Sequence, residues 1–380
     1  MIKVGFIGAV SKEWMGGLNY FKNLLHSISL LENKKIEPIV FVGIKTDEDI
    51  KAMFRKYATV IEHSIFDRKS LNWYLMKIEQ KIFNTNFFLS NLLKKYNIKV
   101  LSHASIVNLY GIKSVNWIPD FQHIHLPNMF SQKELNFRDK DFKRLILKSD
   151  AIVLSSYDAL NDFNNFAVEY KDKVKVLQFV SQPDKKYFEL TEDNKVALLN
   201  KYNIVNEFYY MPNQFWKHKN HMIVFEAVKQ LVEENKNICL VCTGHLKDYR
   251  NIEHINEILN FIEINKLENN IKLLGLVDYE DVFALIKFSK AVINPSLFEG
   301  WSSTVEECKS VGKNMILSDL NVHKEQYPEA LFFERNSVNS LKNILKNYNV
   351  VNDLNVDDLE NRIKLFANNY EEIILKVLND

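Results

Sequence analysis

Short β-branched and apolar runs alternate with longer segments of helical period almost from end to end, and this alternation limits the fold more than any other feature. A strand that returns parallel to its neighbour needs a crossover of a dozen or more residues, usually a helix. A series of such units predicts α/β layering around parallel sheets. The alternation runs twice. Strands are expected near residues 3–7, 38–42, 99–102, 114–118, 151–154 and 173–177, then again near 208–211, 238–243, 271–274, 291–294 and 314–317. The polar stretch 181–195 has no clear period and carries the turn dipeptide Pro183–Asp184, so it reads as an interdomain linker. This gives a first domain over 1–182 and a second over 196–356. A C-terminal amphipathic helix, about 360–380, is expected to pack back on the first domain. No short repeat is present, which excludes solenoids and propellers.

At 380 residues the chain is long enough for two sizeable cores. Charged residues make up 26% and the net charge is +1, so no global excess of charge points to nucleic acid. Three cysteines, Cys239, Cys242 and Cys308, are too few for a disulfide framework, and a reducing, cytoplasmic setting is expected. The opening residues read as a first strand and not a signal peptide. No run approaches ~18 apolar residues, so no membrane-spanning helix is expected. Residues 51–100 differ from the average. They hold ten Lys/Arg against three acids, with Trp73, Tyr74, Phe83, Phe87 and Phe88 interleaved. Two readings stay open: aromatics in a core beneath a solvated basic face, or a peripheral contact with the inner membrane.

The segment 291–317 carries the most chemistry. A buried strand breaks at Pro295, and a polar loop leads into a helix that ends at Gly312. Ser303 with Glu306 three residues on is a capping box, which predicts a helix start near Thr304. Glu299 then stays in the loop and Glu307 enters the helix. Free backbone N–H groups and the positive helix end make an anion site at the carboxyl edge of a parallel sheet. Two carboxylates beside a phosphate suit hydroxyl donors such as ribose and a sugar ring.

Three more segments fall at strand ends. In 213–227, Lys217 and Lys219 follow a strand and can reach a diphosphate. After the first strand, residues 9–15 lead to Gly16 and Gly17, where backbone can approach a ligand closely. No Gly-x-Gly-x-x-Gly follows that strand, which argues against NAD. In 116–138, Asp120, His123 and His125 follow Pro119 in a loop. A zinc site from His103, Asp120, His123 and His125 matches no known ligand spacing. Cys239 and Cys242 lie three apart in a strand, so they face opposite sides and are core. The strings Asp47-Glu48-Asp49 and Asp139-Lys140-Asp141 read as a turn and a helix start.

Residues 295–317 resemble the donor-site motif of family-four glycosyltransferases, the retaining class with the GT-B fold, in which two Rossmann-like domains with parallel sheets face each other across a cleft. The resemblance implies that Glu299 contacts the transferred sugar and Glu307 the ribose, with Gly300, Trp301, Ser302, Ser303 and Thr304 lining the donor. It resembles a sub-pattern in which hydroxyl residues replace Gly-Leu-Pro, and Cys308 stands where the family has a small Ala. Lys219 matches the family's diphosphate-binding lysine. Gln214 stands at the arginine position, and Lys217 is the candidate to supply the missing charge. Gly16 and Gly17 match the Gly-Gly loop that faces the donor phosphate. Gly244 and Leu276 fall in loops like those around the nucleobase. Asp120 matches the acid of a His-Asp pair that contacts the donor hexose, Pro119 stands where the histidine would be, and His123 or His125 takes its place.

What this implies is a retaining, metal-independent glycosyltransferase without cofactor. The first domain would take a saccharide or lipid-linked acceptor and the second the nucleotide diphosphate sugar, in surface polysaccharide synthesis (lipopolysaccharide, O-antigen or capsule). Lys219, Glu299 and Asp120 would be its catalytic residues. Partners would be donor, acceptor and the cytoplasmic face of the membrane, with no nucleic acid. Two alternatives stand beside it: a sugar-nucleotide epimerase of the same fold, and a catalytically silent binding subunit.

Overall fold

The computed structural model describes residues 1–8, 15–183, 185–205, 207–248, 251, 253–349 and 358–379. The chain divides into two compact units. The first comprises Met1–His123, Ser131–Ser181 and Asp358–Asp380, the second Ile124–Phe130 and Gln182–Asp357.

Seven parallel strands make the sheet of the first unit: β1 (Ile2–Ile7), β2 (Ile36–Val42), β3 (Thr59–Glu62), β4 (Val100–Ser102), β5 (Lys113–Trp117), β6 (Ala151–Leu154) and β7 (Val174–Val176). Their order is β3-β2-β1-β4-β5-β6-β7. Val4 is opposite Pro38 on one side and Val100 on the other. The central strands are apolar on both faces because helices cover both. The helix Met15–Ser29 shows how. Phe21, Leu24, Leu25 and Ile28 recur at helical spacing, and all four are buried. The C-terminal helix Leu359–Asn379 packs on it. Glu371 of that helix accepts from the backbone N–H of Lys35 (2.5 Å) and of Ile36 (3.2 Å), which ties the start of β2.

The second unit is built on β8 (Tyr209–Pro212), β9 (Leu240–Thr243), β10 (Ile271–Gly275), β11 (Val292–Asn294), β12 (Met315–Ser318) and β13 (Leu331–Phe333). The order is β10-β9-β8-β11-β12-β13, again all parallel. Its core lies in two layers, one on each side of the sheet. Cys242 belongs to one and Cys239 to the other, as period two requires.

Three expectations are corrected. Strands β3 and β13 were not foreseen. Both are short edge strands, and an edge strand pairs on one side only and needs little of the apolar alternation that marks a central strand. The stretch 181–195 is not a plain linker: it contains the helix Lys186–Glu189 and the start of Glu192–Lys201, whose capping box joins Thr191 and Asn194. Asp184 of the expected turn lies outside the described residues. Asp139 and Asp141 sit in the middle of the helix Gln132–Lys148 and not at a helix start, whereas Asp47 is the N-cap of Glu48–Arg55, with Glu48 and Asp49 in its first turn.

Candidate functional site

In each sheet the strand order reverses beside the first strand, between β1 and β4 and between β8 and β11. Loops leaving the carboxyl ends of such a pair diverge to opposite faces and open a crevice where ligands bind. In the second unit those loops are residues 213–220 after β8 and 295–302 after β11. They carry Lys217, Lys219 and Glu299.

The two loops are stitched together by a side-chain amide and by backbone. Asn220, at φ 55°, donates from Nδ2 to the carbonyls of Pro295 and Arg335, both at 3.2 Å. The Leu297 N–H donates to the His218 carbonyl at 2.8 Å. With backbone fixed, the side chains meet. Lys219 Nζ lies 2.5 Å from Glu299 Oε1, and the side chains are only 14% and 10% exposed. Ser296 Oγ lies 2.6 Å from the same carboxylate oxygen and 2.7 Å from Asn294 Oδ1. Burial alone would raise the Glu299 pKa. The charges of Lys219 and His323, with hydrogen bonds from Lys219 and Ser296, win and hold it down to about 2. The carboxylate is therefore ionised across the physiological range. His323 is fully buried behind it, and its Nδ1 lies 3.0 Å from the Ser318 carbonyl. Burial lowers its pKa against the pull of Glu299.

The helix after Glu299 runs Ser303–Ser310 with Ser302 as N-cap, its Oγ accepting from the Val305 N–H at 3.4 Å. The expected cap, Ser303, is one residue late. The displacement has a cause 24 residues away. Gln326 accepts from the Ser302 N–H (3.1 Å) and donates to the Ser302 carbonyl (2.8 Å), which fixes that residue outside the helix. Thr304 Oγ1 reaches back to the Pro212 carbonyl at 3.4 Å. Glu307 is buried one turn further on. Gly300 and Trp301 are half-buried in the loop.

Gln214, in the place of an arginine, has a different task here. Its Oε1 accepts from the His245 N–H at 2.9 Å and so holds the loop after β9 against the loop after β8. Gly244 makes that approach possible: its φ is 138°, and a Cβ would lie 2.2 Å from the Asn213 carbonyl oxygen. Asp248 in the same loop accepts from the Lys217 N–H at 3.0 Å. The Lys217 side chain is exposed. Leu276 is exposed after the edge strand β10.

Residues 9–14 lie outside the described residues; Gly16 and Gly17 stand at the start of the helix Met15–Ser29, with open space around Gly16. Asp120 follows β5, and its Oδ1 accepts from the Gln122 N–H at 3.0 Å. The two histidines separate. His123 is buried against Phe121 and Phe142, with Nε2 3.0 Å from Asp139 Oδ1. His125 belongs to the second unit, where its ring centroid lies 5.0 Å from that of Phe298, the neighbour of Glu299.

Sequence reasoning missed Asn220, Asp248 and Gln326, whose partners are far along the chain, and His323, which bonds Ser318 nearby but acts on Glu299. It also missed the role of His103 at the β1/β4 reversal. This residue has φ 57°, with Nε2 2.8 Å from the Tyr20 hydroxyl and Nδ1 2.7 Å from Ser102 Oγ. Burial lowers its pKa to about 3, so the ring is neutral.

Solved structures share this architecture. A glycosyltransferase from Rickettsia africae has a TM-score of 0.68 at 15% identity, over 100% of this chain and 98% of the other. HepE from Anabaena, solved with UDP and glucose, has 0.66 at 14%, over 100% and 98%. The lipopolysaccharide outer core galactosyltransferase WaaB has 0.58 at 14%, over 99% of each. The fold is GT-B. Residues 194–372 match the family model described as glycosyl transferases, group 1, and this match supports transferase activity. No curated protein sequence matches the chain. Within the GT-B fold, every side chain of the Lys219–Glu299 cluster lies inside the matched segment.

Proposed function

We propose that this chain is a retaining glycosyltransferase that moves a sugar from a nucleoside diphosphate sugar to a saccharide or lipid-linked acceptor. The observation that carries the reading is the buried Lys219–Glu299 pair at the strand-order reversal of the second unit. Without substrate the two charges neutralise each other. A donor offers each a new partner, the diphosphate for Lys219 and a sugar hydroxyl for Glu299. As the glycosidic bond breaks, negative charge grows on the departing diphosphate. In this reading Lys219, Lys217 and the amides that open the helix Ser303–Ser310 stabilise that charge and lower the barrier. These groups supply positive charge without a divalent metal. Glu307 is the ribose contact. The sugar carbon becomes oxocarbenium-like, the acceptor hydroxyl attacks the face the diphosphate leaves, and its proton passes to the leaving phosphate. Asp120 of the first unit is retained as a sugar contact.

The likeness in fold to WaaB supports a place in surface polysaccharide synthesis, and three free, buried cysteines fit a cytoplasmic site of action. The test is thermal shift with UDP, GDP, ADP, CMP and dTDP, with and without EDTA, followed by turnover with acceptor. A nucleotide at ~100 times its dissociation constant adds about 2.7 kcal/mol of stability. One nucleoside diphosphate is expected to stabilise the protein equally with and without EDTA. Binding with no transfer to any acceptor would favour a silent subunit, and a changed sugar nucleotide without acceptor would favour an epimerase.

A further inference from the structure

The helix Leu71–Phe83 of the first unit is apolar on two opposite faces. Trp73 and Met76 turn inward onto the core beneath β2 and β4. Leu71, Tyr74, Leu75, Ile78 and Ile82 follow one another at i, i+3, i+4, i+7 and i+11, which places them within one arc of about 100° on the other side. All five are exposed, from 42% at Leu75 to 75% at Leu71. Phe83 at the end of this helix, and Phe87 and Phe88 at the start of the next, Phe87–Lys95, are each more than half exposed. Single exposed apolar side chains are ordinary, but a contiguous stripe marks an interaction surface.

Charge identifies the partner. Between Arg68 and Lys99 the sequence holds seven basic residues and one acid, Glu79. That acid is turned inward, 6% exposed. It accepts from the Phe87 N–H, from the Phe88 N–H at 3.1 Å and from Thr85 Oγ1 at 2.8 Å, where it caps the helix Phe87–Lys95. No acidic side chain of this segment therefore meets solvent beside the stripe. Lys77 and Lys81 flank its long edge, and Lys94 and Lys95 lie on the second helix, exposed like the first pair. Lys94 Nζ stands 4.1 Å from the ring centroid of Tyr110, itself exposed. An apolar stripe in a segment whose exposed charges are all basic is the composition of a helix that lies in a lipid interface with its long axis parallel to the surface.

We infer that the outer face of Leu71–Phe83, with Phe83, Phe87 and Phe88, seats this protein on an anionic lipid surface. The aromatic and aliphatic side chains enter the headgroup boundary, and the lysines pair with lipid phosphates and carboxylates. This inference stands on exposure and charge, and does not depend on the transferase reading. Glu79 serves it by capping the second helix, so that Phe87 and Phe88 are presented rigidly beside the first.

Sedimentation with vesicles tests it, using phosphatidylcholine alone and phosphatidylcholine with 30% phosphatidylglycerol at low and high salt. The full chain is expected to bind the anionic vesicles and to leave them as salt rises. Lys77→Gln/Lys81→Gln should weaken binding by about tenfold or more, since each basic side chain near the surface contributes roughly a fivefold factor. Ile78→Asn/Ile82→Asn should abolish it on either vesicle. Both pairs are exposed, and unchanged melting would show that the fold is intact. Equal binding to neutral and anionic vesicles, or binding that survives both double variants, would overturn the inference. So would a dimer in solution that Ile78→Asn/Ile82→Asn dissolves while vesicle binding is absent, since the stripe would then cover a second copy of the chain.

Discussion

A lysine and a glutamate buried against each other cannot be understood by removing one. Lys219→Ala leaves the Glu299 carboxylate in a buried site without its cation, and breaking such a pair from one side costs on the order of 3–5 kcal/mol. The double variant Lys219→Ala/Glu299→Gln removes both charges and is expected to recover most of that stability. Activity should not follow. Both variants are expected to lose a factor of roughly 10²–10³ in turnover, the typical effect of deleting one preorganised charge stabiliser. Melting and single-turnover rates measured on the same preparations separate the two roles. A double variant with the parent's turnover would make the pair purely structural. The pair was legible from spacing alone as two loop residues near strand ends; that they touch was not, because 80 residues separate them.

Loops after β8, β9 and β11 act as one layer because each is bonded to the next by backbone or by a short amide side chain. Gly244 is the tightest point. Its φ of 138° and the 2.2 Å approach to the Asn213 carbonyl leave no room for a methyl group, and the obstacle is backbone, which cannot swing aside. Gly244→Ala is expected to cost on the order of 1–3 kcal/mol from the backbone conformation alone. It should also weaken donor binding by moving the loop that Gln214 holds. Denaturant unfolding and nucleotide affinity should change together, and a variant that binds nucleotide normally would detach this loop from the site. The glycine was visible in the sequence as part of a loop motif. Its conformation follows only from where the next loop lies.

Acid sensitivity is a property of the entire molecule. Burial holds neutral both His103 and His221, the first residue of the helix His221–Glu233, each with a pKa lowered to about 3. The unfolded chain takes up a proton on each near pH 6.5, so their contribution is complete above that pH and is lost as pH falls from about 6.5 toward 3. Each should cost on the order of 2 kcal/mol between pH 6.5 and 5. Glu299 acts lower. Its contribution is present above the ordinary carboxylate range and is lost only as pH falls toward 2. Urea midpoints from pH 8 to 4 should therefore decline well before carboxylates titrate. A flat profile down to pH 5 would show that these rings are protonated or solvated in the folded protein.

The alternation of strands and helices by itself determined two parallel α/β sheets, and the order of apolar and polar residues placed Lys219 and Glu299 at strand ends and Glu307 in the helix that follows. It separated Cys239 from Cys242 across a sheet. These are consequences of periodicity, which acts over a few residues. Tertiary structure alone decided what depends on distant partners: the edge strands β3 and β13, the helices within 181–195, the one-residue shift of the cap to Ser302 by Gln326, and the parting of His123 from His125. It also decided which apolar residues of 71–88 stay in water. A helix with two apolar faces looks the same in sequence whichever face the core takes, and only the seating of Trp73 and Met76 in the core leaves the other one free.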